Sequence, residues 1–91
     1  MGFMLTHFDV GDYDAWKERF DTDPVERKQT GKGHQIYRSV DNQSEVFVGL
    51  EFASVEEATA FRERLLASGV LDAITVKTPP TVVEIADTAE Y

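Results

Sequence analysis

Glu45-Val46-Phe47-Val48-Gly49-Leu50-Glu51-Phe52 is the stretch whose reading decides the fold. Successive side chains of a strand point to opposite sides of its sheet, so Val46, Val48, Leu50 and Phe52 line one face while Phe47, Gly49 and Glu51 line the other. Apolar groups stand on both sides, and both sides need cover. Phe3 to Val10 repeats the pattern, with Met4, Thr6, Phe8 and Val10 on one face and Phe3, Leu5, His7 and Asp9 on the other.

Around these two strands the chain carries helix and turn signals. Gly11 breaks the first strand, and Asp12 is placed to cap a helix whose aromatic stripe is Tyr13, Trp16 and Phe20. Asp23-Pro24-Val25-Glu26 is a second start signal, an acceptor at the cap, a proline at the first helical position and a glutamate three residues on. The spacing predicts a break near Thr22 and a helix that resumes to about Thr30, closed by Gly31 and Gly33. His34 to Val40 reads as an edge strand, Ile36, Arg38 and Val40 against Gln35, Tyr37 and Ser39. Asp41-Asn42-Gln43-Ser44 then makes a hairpin turn. Ser54-Val55-Glu56-Glu57 is a capping box, Ala58, Phe61 and Leu65 give its helix one apolar stripe, and Gly69 ends it. Val70 to Val76 reads equally as a short helical turn or an irregular return. Pro79-Pro80 is expected to forbid regular structure, leaving Thr81 to Ala86 as the last strand and a tail, Asp87 to Tyr91, that frays or lies along a neighbouring subunit.

Composition narrows the function classes. The 91 residues make one domain, and 42% hydrophobic with 29% charged residues is the make-up of a folded chain. With 9 Lys+Arg against 17 Asp+Glu the net charge of −8 disfavours a nucleic-acid backbone or an anionic membrane as partner. The lack of cysteine excludes disulfides, thiolate metal sites and cysteine nucleophiles. No apolar run approaches a membrane span, and the start lacks the pattern of a secretory signal, so a cytoplasmic location is expected.

The order strand, helix, strand, strand, helix, strand predicts an α+β domain of the ferredoxin-like βαββαβ type, with a four-stranded antiparallel sheet and both helices on one face. The other face would carry Phe3, Leu5, Phe47 and Gly49 together with His7 and Glu51. Exposing apolar area costs about 25 cal/mol per Å², so a second copy closing sheet to sheet is the expected lid. The run Val10-Gly11-Asp12-Tyr13-Asp14-Ala15-Trp16-Lys17, followed by Phe20-Asp21, Glu26-Arg27, Gly31, Ile36-Tyr37-Arg38, Glu51-Phe52 and Glu56-Glu57-Ala58, resembles the dimeric α+β-barrel proteins akin to antibiotic-biosynthesis monooxygenases. The resemblance covers nearly the whole chain and implies a homodimeric barrel of two facing sheets. For activity it implies only a range, from cofactor-free oxygenases and polyketide cyclases to haem enzymes and members without known activity.

His7 is the first candidate for chemistry, since an imidazole titrates near neutrality and can serve as a general base. Glu51, on the same face of the neighbouring strand, is expected either to orient His7 or to pair with Arg38 or Arg27. Tyr37 offers a phenol to a substrate oxygen, or packs at the interface. Trp16, Phe47 and Arg38 are the expected substrate contacts, although the register of Trp16 with Tyr13 and Phe20 equally makes it core. Arg27 in the resumed helix either binds an anionic group or pairs with Asp23 as an exposed i,i+4 couple, and His34, beside the Gly31–Gly33 turn, faces solvent. No metal is expected, because nothing places His7, His34 and Glu51 on one face. No cofactor is expected either: Gly31-Lys32-Gly33 lacks the spacing of a phosphate loop, and no helix supplies a histidine for haem. The function expected is a homodimer that binds a small apolar or aromatic molecule between sheet and helices, for a cyclase, isomerase or cofactor-independent oxygenase type of reaction. The alternative is a non-enzymatic binding or assembly module whose cavity is filled by its own side chains.

Overall fold

A computed structural model describes residues 1–91. In chain order the elements are β1 (Gly2–Asp9), α1 (Tyr13–Asp21), α2 (Arg27–Thr30), β2 (Gly31–Arg38), β3 (Glu45–Phe52), α3 (Val55–Ser68), a 3-10 turn (Val70–Ala73) and β4 (Thr75–Val83). The strands form one antiparallel sheet in the order β2-β3-β1-β4. This α+β arrangement is compatible with the ferredoxin-like plan. The chain measures 19 Å across its thin direction, one sheet and one layer of helices.

Alternation in β1 and β3 sorts their side chains as the sequence requires. Met4, Phe8, Val46, Val48, Leu50 and Phe52 are buried under the helices with Trp16, Ala58, Phe61 and Leu65, while Leu5 and Phe47 are exposed on the far side. Asp12 caps α1 by accepting from the Ala15 N–H at 3.1 Å. Ser54 caps α3 by accepting from the Glu57 N–H at 3.1 Å. Gly69 takes the left-handed conformation that ends α3. α3 lies over β1, β3 and β4, and α1 meets the sheet through its aromatic stripe, with the Trp16 ring 5.2 Å from that of Phe20 and 5.9 Å from that of Tyr13.

Three expectations need correction. The helix after Asp23 starts at Arg27 and not at Pro24: Asp23 and Glu26 both take left-handed backbone, closing a turn that Asp23 spans to accept from the Arg27 and Lys28 N–H groups at 2.9 and 3.2 Å. Asp23 is therefore a cap, but for a helix four residues downstream. The second strand begins at Gly31 and ends at Arg38, leaving Val40 outside it. The last strand runs from Thr75 to Val83 and so contains Pro79-Pro80. Proline cannot donate to a ladder, yet β4 is an edge strand with one neighbour, and its register against β1 slips between Leu5 and His7 so that the prolines sit in a bulge. The Thr6 hydroxyl donates to the Thr78 carbonyl there at 2.7 Å. Residues 84–91 carry no regular structure and are exposed.

Gly31 is where α2 hands over to β2, and a Cβ at this position would lie 2.6 Å from the Arg27 carbonyl oxygen, whereas one at Gly33 meets nothing within 4 Å. Gly31→Ala is expected to destabilise the fold by about 1–3 kcal/mol, as forced overpacking does. Gly33→Ala should change it by less than about 0.5 kcal/mol. Urea denaturation of the two variants checks the pair, and equal losses would show that the close approach at Gly31 is not what holds the junction.

Candidate functional site

Large aromatic side chains under α1 leave space between the helices and the sheet. A cavity of about 110 Å³ lies there, with Met4, Val48 and Leu50 on the sheet wall, Trp16 and Phe20 on the α1 wall and Phe61 on the α3 wall. Its lining also takes in Pro24, Val25, Val70 and Ala73, of which Pro24, Val70 and Ala73 are exposed. Of the polar residues at its walls, Thr6, Asp23 and Arg27 are engaged with one another or with the backbone, while exposed Arg19 makes no ion pair. Thr6 spends its hydroxyl proton on Thr78. Arg27, only 7% exposed, donates from Nη1 to the Phe20 carbonyl at 2.7 Å and to Asp23 Oδ1 at 2.9 Å, and its guanidinium lies 3.6 Å from the Phe20 ring centroid. The sequence places this couple at the surface; the structure buries its cation. Asp23 is paired by that contact, so the cavity offers shape and apolar surface, with Arg19 as its one unpaired charge.

On the opposite face of the sheet, one row of residues crosses the strands: Tyr37 on β2, Phe47 on β3, His7 on β1 and Thr78 on β4. The His7 and Phe47 rings stack at 3.9 Å, 19° from parallel. His7 Nε2 lies 2.7 Å from Glu45 Oε1, and the other oxygen of Glu45 accepts from Asn42 Nδ2 at 2.9 Å. An ionised carboxylate only accepts, so Nε2 is the donor in this contact. The Tyr37 hydroxyl donates to Gln35 Oε1 at 2.6 Å.

The structure thus brings His7, Phe47 and Tyr37 into one row and separates the remaining candidates. Glu51 stands opposite Phe3, four residues from His7 along the strand or about 13 Å; Glu45 and not Glu51 contacts the imidazole. Glu51 pairs with neither arginine, since Arg27 is held by Asp23 and Arg38 lies on the helix side, 4.6 Å over the Tyr13 ring. Trp16 lines the cavity, beyond the sheet from His7. His34 is exposed at the helix side, edge-on to Phe20 at 5.1 Å, and so on the opposite face from His7. Glu45 and Asn42 are the contacts that sequence reasoning missed. The signal lay in their place at the β2–β3 hairpin, but β1 is not part of that hairpin, and its register against β3 decides which carboxylate meets His7.

An exposed ion pair contributes under about 1 kcal/mol, whereas removing one partner of a buried pair costs about 3–5 kcal/mol. Arg27→Met is therefore expected to destabilise the chain by about 3 kcal/mol, read from the urea midpoint. A loss under about 1 kcal/mol would return Arg27 to the surface role that the sequence alone suggests. No protein-family model matches the chain, and no curated protein matches it in sequence.

Proposed function

We propose that the chain works as a homodimer that binds a small apolar or aromatic molecule, two copies closing through the open sheet face and each holding its ligand in the cavity between sheet and helices. The observation that carries this is the cavity itself, mostly apolar, flanked by Trp16 and Phe20 and bordered by exposed Pro24, Val70 and Ala73. Its size limits the ligand. A cavity of about 150 Å³ accepts benzene, and pockets for drug-sized molecules run to about 300–1,000 Å³. At about 110 Å³ the space suits roughly a single ring and excludes a fused polycyclic substrate. The open face supports the dimer: Leu5, Tyr37 and Phe47 are 49%, 58% and 43% exposed on three adjacent strands.

The His7–Glu45–Asn42 chain favours a second reading, in which His7 accepts a proton from a substrate lodged between the two facing sheets. That arrangement would serve a cyclase, isomerase or cofactor-independent oxygenase, with Glu45 in the orienting role and Tyr37 beside Phe47. It needs a substrate on the far side of the sheet from the cavity, so the two readings separate by location.

Ligand entry and association are each open to measurement. Trp16 is the single tryptophan, so phenol or indole analogues entering the cavity should perturb its fluorescence and raise the melting temperature. Occupancy at 100 times Kd corresponds to about 2.7 kcal/mol of added stability. Single-ring compounds that leave both signals unchanged at saturating solubility would remove the cavity as a binding site. For the dimer, sedimentation at micromolar concentration should give two copies, and Leu5→Asp should give folded monomer. Diethyl pyrocarbonate should then modify His34 in both forms and His7 only in the monomer. Equal reaction of both histidines in the unsubstituted protein would defeat the face-to-face closure and the second reading together.

A further inference from the structure

We propose that the concavity at the α2–β2 junction binds a small oxyanion, a phosphate or sulfate group free or as a monoester, through Lys28, Lys32 and His34. The chain has 17 acidic residues against 9 basic ones. Even so, this concavity of about 290 Å³ is lined by Arg27, Lys28, Lys32 and His34 with the backbone of Gly31 and Gly33, and by no carboxylate. Two of the neighbouring cations are already paired: Lys17 with Asp21 at 2.6 Å and Arg27 with Asp23 at 2.9 Å. Lys28 and Lys32 take part in no ion pair. The register of β2 slips between Gly31 and Gly33, which face successive residues of β3, so Lys32 is the extra residue of a bulge. A bulge re-aims the side chain it carries, here onto the side where Lys28 stands.

The electrostatics agree with this geometry. Burial holds His34 below the ordinary imidazole range, and Arg27, Lys17 and Lys28 push the same way, against Asp21. Burial penalises charge of either sign, so it is only the push from Arg27, Lys17 and Lys28 that marks a positive potential at this spot and favours an anion. The net charge of −8 argues against an anionic membrane as the source of the phosphate, which leaves a soluble ligand. This site is on the helix side of the sheet, where it borders the apolar cavity through Arg27 and Leu50, and it is remote from the open face on which the dimer reading rests.

The sign of the coupling supplies the test. A bound dianion favours protonated His34, so sodium sulfate should raise its titration midpoint in a saturable way, relative to sodium chloride at matched ionic strength. His7, on the opposite face, is the internal control, and its ring resonances should not respond to sulfate beyond the chloride blank. Charge-assisted hydrogen bonds contribute about 1.5–3 kcal/mol each, so K28Q/K32Q should weaken sulfate by at least about tenfold. Both lysines are exposed, and a thermal melt confirms that the variant folds. Glycerol 3-phosphate should act as sulfate does. The site is overturned if chloride gives the same shift, or if K28Q/K32Q binds sulfate undiminished. Co-sedimentation of the protein with phosphatidic-acid vesicles would overturn its assignment to a soluble ligand.

Discussion

Met4, Val46 and Phe52 are at most 1% exposed, whereas Leu5 and Phe47, one residue away on the same strands, keep close to half of their surface in water. That contrast follows from one constraint: three helical segments sit on a single side of a four-stranded sheet. The helix side closes because α3 contributes Ala58, Phe61 and Leu65 in one stripe and α1 contributes Trp16. The other side has no second layer in the chain. Each apolar group left there carries the cost of hydration at about 25 cal/mol per Å². Leu5 relieves a little of this by leaning over Gly49, which has no Cβ to obstruct it; a Cβ there would meet Leu5 Cδ2 at 3.3 Å.

The sheet also divides the chemistry. Ring-lined space lies on one side, with Trp16 and Phe20, and the ordered imidazole lies on the other, with Glu45 behind it. Proton transfer needs heavy atoms within about 2.6–3.2 Å of each other, and a layer of backbone separates His7 from anything in the cavity. The cavity and the imidazole therefore cannot act on one small molecule within a single protomer. A ligand in the cavity meets a Thr6 hydroxyl already given to Thr78 and an Arg27 whose Nη1 is already given to Phe20 and Asp23, with Arg19 as the remaining charged group in the lining. Affinity there would come from apolar contact and shape.

Alternation made the faces legible in the sequence. Val46, Val48, Leu50 and Phe52 against Phe47 and Glu51 could be sorted by parity alone, and capping chemistry at Asp12 and Ser54 fixed both long helices. Parity does not fix register, however. Knowing that His7 shares a face with both Glu45 and Glu51 leaves the choice to the β1–β3 pairing, which depends on packing between segments about 40 residues apart. Local signals also misled where tertiary context overrode them. Asp23-Pro24 carries the composition of a helix start, yet the buried guanidinium of Arg27 draws Asp23 into a turn and delays the helix. Pro79-Pro80 carries the composition of a break, yet an edge position with a bulge accommodates both prolines.

Those prolines bear on association as well. A sheet with exposed edges can extend sideways by pairing with another strand, and natural sheets block this with proline, charge and bulges. β4 presents Pro79, Pro80 and a double slip in register. β2, the opposite edge, presents Lys32 at a bulge together with His34 and Arg38. Both edges are thus poor templates for lateral growth, while the open face is broad, carries aromatic side chains and is uncovered. An association that buries apolar area without continuing the ladder must approach along the sheet normal. For the proposed dimer, the molecule's edges and its bare face favour the same geometry, a closed pair in preference to an open ribbon.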